Sequence, residues 1–400
     1  MNTIGTIGSD FIDALFSANM RQQNQYDALS NTALGSGIDL YQKGNDEDAV
    51  KEFQRSIGLS TNTSYTQNAY DYLAQSLINL NRPNDAIKAY KQAIKLDPTN
   101  DSYHVSLGNI YFGLGQYDNA ASEYNQAVKI DPTSSVDWYS LGQAYLQTGN
   151  YSGAEQAFKK TNELSPREAT LALGQTYHKM GRYQEAIKEL ESAIADHHDP
   201  ENVGYAYLEL GAVYADQKQY DQAQEQVSAL SSVDQSLATQ LSSYIDQVKN
   251  PQIVAAYSTG FITTEGPGTQ VSDIDPSLSE PGASKDFTMH FIFSKEMDAS
   301  TVASPASWGI TKAGWSNSGG AYNWGLPIAP TEVNVSPIPV SVVYNQDSLT
   351  ADVTFQIVQN ASGDGTLDPS HLVFDFHGQD VYGNAMDPAA DEYSGISMIV

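Results

Sequence analysis

The chain has 400 residues, with 20 lysine plus arginine against 48 aspartate plus glutamate, a formal net charge of -28, and no cysteine. That acidity argues against nucleic acid or an anionic membrane as partner, because both would repel it. The missing cysteine excludes disulfides, thiolate metal sites and cysteine nucleophiles. The length allows two or three domains with sizeable cores.

Residues 1–29 read as an N-terminal arm or capping helix. Met1 to Gly8 is rich in Gly, Thr and Asn, the first ten residues carry no positive charge, and Phe11 to Phe16 is too short an apolar core for a secretory signal. Export would therefore need another route or earlier processing. No run of eighteen apolar residues exists to span a membrane. Ser9 can cap a helix whose apolar face is Phe11, Ile12, Leu15 and Phe16. That face either packs on the next helices or docks on another subunit.

From Asp101 to Pro166 the sequence repeats with a shift of 34. Leu107, Gly108, Tyr111, Gly115, Tyr117, Ala120, Tyr124 and Pro132 fall on Leu141, Gly142, Tyr145, Gly149, Tyr151, Ala154, Phe158 and Pro166. Small residues let two helices approach, large ones fill the space between them, glycine turns the chain and proline ends the second helix. The small second-helix position continues as Ala49, Ala86, Ala120, Ala154, Ala186 and Ala223, spaced by 37, 34, 34, 32 and 37 residues. Six units follow, and a helix from Asp234 to Lys249, with Leu237, Leu241 and Ile245 on one stripe, closes the array.

This pattern resembles the tetratricopeptide repeat (TPR) family over residues 30–249. The resemblance implies an all-α, right-handed superhelix of paired antiparallel helices, with the first helix of each unit lining a concave groove. By that correspondence Gln75, Asn109, Gln143 and Gln175 form a column of carboxamides. Ile78, Phe112, Leu146 and His178 lie beside it, and Val105, Tyr139 and Leu171 lie on the adjoining row. Amides both donate and accept, so the column suits the backbone of an extended peptide; the alternative is a solvated inner face. The chaperone-binding members of the family grip a terminal carboxylate with lysine, arginine and asparagine. Only Asn109 stands at such a position here, and Asp71 would repel a carboxylate.

After Pro251 the apolar period changes to two. Residues 250–284 read as a linker with a first strand, Ile253 to Tyr257, and residues 285–400 as an all-β domain. Its strand candidates are Phe287 to Phe293, Trp308 to Lys312, Pro339 to Tyr344, Ala351 to Val358, Leu372 to Phe376 and Ile396 to Val400. Short strands separated by turn signals suggest a β-sandwich. The phrases Phe293-Ser294-Lys295-Glu296-Met297-Asp298 and Asp380-Val381-Tyr382-Gly383-Asn384 resemble the opening and closing phrases of bacterial Ig-like domains of the S-layer type. The segment Gly314 to Pro330, with Trp315, Tyr322 and Trp324, departs from that pattern as an aromatic loop.

Acidic turns could hold calcium through Asp273, Asp275 and Glu280, through Asp364, Asp368 and Asp375, or through Asp380 and Asp387, though the spacing is not that of a helix–loop–helix site. Those side chains serve equally as solvating charge. His197-His198-Asp199 is a second metal candidate, or an exposed loop. No phosphate loop, serine elbow or zinc-binding helix occurs, so catalysis is the least favoured class. The reading is a non-enzymatic bacterial surface or extracellular structural protein that assembles with other protein chains, chiefly copies of itself, into a filament or scaffold through the groove and the Ig-like domain. The alternatives are an intracellular or periplasmic adaptor holding another protein's peptide, and an adhesin binding carbohydrate through Trp308, Trp315 and Trp324.

Overall fold

The computed structural model describes residues 4–59, 63–195, 200–317 and 320–395. The chain divides into two compact units, Met1–Val213 and Tyr214–Val400.

The first unit is a series of helix pairs. The pairs are α1 (Ile4–Gln42) with α2 (Asp46–Leu59), α3 (Thr63–Asn79) with α4 (Pro83–Leu96), and α5 (Asp101–Gly113) with α6 (Tyr117–Ile130). Then come α7 (Ser135–Gln147) with α8 (Tyr151–Leu164), α9 (Thr170–Lys179) with α10 (Tyr183–Ala195), and α11 (Pro200–Asp216). Local chemistry starts and stops these helices. The side chains of Asn100, Ser134 and Asn150 accept the N–H groups of Ser102, Asp137 and Gly153, satisfying donors that a helix start leaves open. Gly115 and Gly149 turn the chain in the left-handed region, and Asn81 and Lys218 take the same conformation where the repeat has no glycine.

The small-residue column packs as its spacing requires: Ala49, Ala86, Ala120, Ala154, Ala186 and Ala223 are all 0% exposed. The first-helix glycines each face one large side chain. An ideal Cβ on Gly108 would lie 2.6 Å from the Tyr124 ring, and one on Gly142 would lie 2.5 Å from the Phe158 ring. Fully burying a side chain such as Phe158 contributes roughly 2–3 kcal/mol. The first helix differs from expectation, because α1 runs unbroken from Ile4 to Gln42 and the boundary expected after residue 29 falls inside it.

The second unit opens with α12 (Tyr220–Ser231) and α13 (Gln235–Val248), which pack on each other, with Asp234 capping α13 through the N–H groups of Ser236 and Leu237. These helices belong to the same compact unit as the strands, although the repeat pattern alone places them with the repeats. The strands are β1 (Ile253–Ser258), β2 (Thr269–Gln270), β3 (Ser284–Phe293), β4 (Trp308–Lys312), β5 (Ser341–Asn345), β6 (Thr350–Val358), β7 (Thr366–Leu367), β8 (Leu372–Phe376) and β9 (Glu392–Ser394). They form antiparallel sheets in the orders β1-β3-β6-β5, β4-β8-β9 and β2-β7.

Alternation decides which faces meet. Phe287, Met289, Phe291 and Phe293 of β3 point inward with Ala351, Val353, Phe355 and Ile357 of β6. The second sheet closes on them, with Phe291 4.9 Å from Trp308, Phe293 5.3 Å from Phe376 and Phe355 5.2 Å from Phe374 between ring centres. Residues 250–284 are not a linker. β1 pairs with β3, and Ile253, Phe261, Val271 and Leu278 are part of the same core. Turn-rich composition hid this, since four well-spaced apolar residues suffice to anchor the segment. Trp308 is buried and donates its indole N–H to the Val302 carbonyl, so it is unavailable for surface binding. The strand expected at residues 396–400 lies outside the described residues.

Candidate functional site

The inner row of the repeats is carried by α3, α5, α7 and α9. Gln75 and Asn109 are exposed and share one cavity of about 330 Å³ with Asp71, Ile78, Tyr90 and Ser106. Two turns of adjacent helices thus present two carboxamides side by side. The Asn109 amide is not free to rotate, because its carbonyl oxygen accepts the Tyr124 hydroxyl at 2.6 Å. That bond leaves the Asn109 NH₂ available to donate. Gln75 donates to Asn79 at 3.4 Å, and Asn79 in turn donates to Asp46.

Farther along, the column is more occupied by its own surroundings. Gln143 is half-buried and donates to the Tyr139 hydroxyl at 3.0 Å, while the Tyr139 ring packs on Phe158. Phe112 meets Tyr117 edge-on at 5.0 Å, and Leu146 and Gln175 are half-buried. His178 departs from the expected lining. It is buried, and its Nδ1 lies 2.6 Å from a Glu209 carboxylate oxygen on α11. A histidine on an inward stripe finds a carboxylate two helices further along the chain, which no repeat-by-repeat spacing reveals.

Asp71 is the group that gives the cavity its character. Its carboxylate accepts the Tyr90 hydroxyl at 2.6 Å. Burial pushes its pKa above the usual carboxylate value, and hydrogen bonds from Tyr90 and Ser106 only partly oppose this. Burial and the neighbouring Asp71 charge likewise push the Tyr90 phenol upward. Among the described residues no lysine, arginine or histidine forms an ion pair with Asp71. A half-buried acceptor without a counter-charge, flanked by amides and Ile78, suits a partner's ammonium or guanidinium group with an aliphatic stem. Tyr90 and Ser106 escaped the sequence reading because they lie outside the spacing that defined the groove.

The docking-arm residues Phe11, Ile12, Leu15 and Phe16 fall within α1, and their side chains lie outside the described residues, as do His197, His198 and Asp199. The acidic residues considered for calcium are dispersed. Asp273 is exposed, Asp275 caps a turn through the Ser277 N–H and lies 3.6 Å from Lys285, and Asp364 accepts from Asn360. Asp368 is buried against His371 and Ser370, and Asp380 is paired with Lys295. Among the described residues no group of three or more histidine, aspartate and glutamate side chains is placed to hold a metal ion. No helix among them is long and apolar enough to cross a membrane.

Two family models match the helical part of the chain. A family model described as the cilia and flagella-associated protein 70 C-terminal domain matches residues 20–171, and a tetratricopeptide repeat model matches residues 165–229. An inactive TPR repeat-containing thioredoxin, TTL3, from Arabidopsis thaliana is 31% identical over 84 residues. That match covers 21% of this chain and spans only 12% of the plant protein. Among solved structures, MamA is 24% identical, with 43% of this chain and 95% of MamA covered and a TM-score of 0.37. PilF of Pseudomonas aeruginosa is 17% identical, with 55% and 99% covered and a TM-score of 0.42. A tetratricopeptide repeat protein from Parabacteroides merdae is 16% identical, with 55% and 99% covered and a TM-score of 0.39. Residues 20–229 thus match models of tetratricopeptide-repeat type, and a β-rich region of antiparallel sheets follows them.

Proposed function

We propose that this chain is a non-enzymatic scaffold of the bacterial cell surface or extracellular space whose repeats hold an extended segment of another protein chain. The observation that carries the reading is the cavity of about 330 Å³ in which Gln75 and Asn109 stand beside the Asp71 carboxylate, which has no cationic partner among the described residues. The amides meet the backbone of the segment, and Asp71 selects a lysine or arginine side chain. Panning a displayed library of short random peptides against the full chain tests this. Enrichment of lysine- or arginine-containing peptides that is lost in Asn109→Ala and Asp71→Asn supports the reading; enrichment indifferent to both substitutions refutes it.

Self-assembly is the second reading, and one observation favours it. β5 is an edge strand, and Val343 is 63% exposed on it, with Ile338 and Val340 exposed just before it. An apolar edge invites a strand from a second copy. On this reading the β-rich region is an Ig-like sandwich of the S-layer type, and assembly needs no cofactor. Light scattering and negative-stain microscopy decide it. Particles far above 43.4 kDa that disappear in Val343→Lys support assembly, and a monomer of the parent chain removes it.

A further inference from the structure

The segment between β4 and β5 holds Trp324 65% exposed. Its backbone is left-handed, with φ 52°, and so is that of Asn323, with φ 51°. Bulky residues rarely adopt this conformation, and it persists only where the surroundings enforce it. Here a buried polar network does so. The Asn323 N–H donates to the Asp368 carboxylate at 2.7 Å. That carboxylate, 1% exposed, also accepts the Ser370 hydroxyl at 2.9 Å and lies 2.8 Å from His371 Nδ1. The Tyr322 hydroxyl accepts the Asp368 N–H at 3.0 Å and donates to Glu332. The Asn323 side chain donates to the Pro327 carbonyl at 3.0 Å. Buried hydrogen bonds thus fix a large indole outward into solvent instead of folding it in.

The indole borders an open cleft of about 610 Å³, lined also by Ile262, Glu265, Thr269, Gln270 and Asp273. The lining combines one flat apolar face with hydroxyl, amide and carboxylate groups, and it contains no lysine or arginine. A purely apolar ligand would leave those polar groups desolvated and unpaired, and an anionic ligand would meet two carboxylates. A pyranose ring matches both halves, having an apolar C–H face and a rim of hydroxyls that donate and accept.

We infer that this cleft binds a neutral saccharide, with a sugar ring stacked on Trp324 and its hydroxyls bonded to Glu265, Gln270 and Asp273. The cleft shares no residue with the cavity around Asp71, so its failure would leave the peptide reading untouched. The test is calorimetric titration of the full chain with cellotetraose, chitotetraose and, as an acidic control, tetragalacturonate. The expected result is binding of at least one neutral tetrasaccharide, a loss of roughly tenfold or more in affinity for Trp324→Ala, and no binding of tetragalacturonate. Trp324→Gly guards against misfolding, because glycine accepts the left-handed backbone. That variant keeps or raises the unfolding temperature while losing the sugar, and Asn109→Ala keeps it. The inference is overturned if neither neutral tetrasaccharide binds at millimolar concentration. It is equally overturned if Trp324→Gly leaves the affinity unchanged, or if tetragalacturonate binds as tightly as the neutral sugars.

Discussion

The Lys295 ammonium lies 2.6 Å from the fully buried carboxylate of Asp380, joining two phrases that stand far apart in the chain. Met297 bridges to Asp380 in the same place. Lys295 also donates to the carbonyl of Lys249, at 2.7 Å, and to that of Asp246, while Asn384 donates to the Gln247 carbonyl at 2.6 Å. These carbonyls are the open acceptors at the end of α13, where a cation is favoured. One lysine therefore satisfies a buried carboxylate and closes a helix, which is why α13 belongs with the strands.

Removing the ammonium leaves Asp380 buried beside acceptors that no longer have a donor. Lys295→Met is expected to destabilise the second unit by about 3 kcal/mol, and Lys295→Met with Asp380→Asn to recover part of that loss. Urea unfolding of the three variants measures both.

Acid acts on the same contact. Burial pushes the Asp380 carboxyl up, but hydrogen bonds from Lys295 and Asn384 outweigh it and hold its pKa below the usual value. The folded state then releases this proton more readily than the unfolded chain. Its stabilising contribution is present above an ordinary carboxylate pKa, ~4, and is lost as pH falls through the lower folded value. The acid-induced loss of stability should be smaller in Asp380→Asn than in the parent chain when unfolding is followed between about pH 2 and 6.

A single kind of substitution should have opposite signs at two helical glycines. At Gly142 a Cβ would meet the buried Phe158 ring at 2.5 Å, and the helix pair must open. Gly142→Ala is expected to cost about 1–3 kcal/mol. At Gly58 nothing lies within 4 Å of the new Cβ. Gly58→Ala should stabilise α2 by up to about 1 kcal/mol through its helical preference. Thermal unfolding of the two variants decides.

Asp71 makes the case for function over stability. Its pKa is raised by burial, so the folded chain holds that proton more tightly than the unfolded chain. Stability is therefore lost as pH rises past the ordinary carboxylate range. Asp71→Asn should unfold at a higher temperature than the parent at pH 7, and the gain should fade towards pH 4. No gain at neutral pH would show that the carboxylate is better solvated than its place in the cavity implies.

Much of this architecture was legible in the sequence because its determinants are local and periodic. The alanine column and the glycine turns name the helix pairs, since each pair needs a close approach at the same point. Alternation along Phe287 to Phe293 names a strand facing a core. What escaped depends on contacts between distant residues. His178 reads as groove lining until Glu209 is placed beside it. Asn81 and Lys218 fill a glycine's turn without resembling glycine. Ile253, Phe261, Val271 and Leu278 are too widely spaced to announce a core segment within turn-rich sequence. Trp324 is recognisable as an aromatic in a loop, but its outward pose depends on Asp368, brought to the Asn323 backbone by the fold.

Fluorescence anisotropy of labelled peptides selected on the repeats decides whether Asp71 reads a cationic side chain, each lysine-containing peptide being compared with its alanine and glutamate versions. Lysine is expected to bind tightest and glutamate weakest, with about a tenfold step for loss of the charged contact. Asp71→Asn should level that order, and Asn109→Ala should weaken all three peptides together. Equal binding of lysine and glutamate peptides by the parent chain, or an order unchanged in Asp71→Asn, would contradict that role of Asp71.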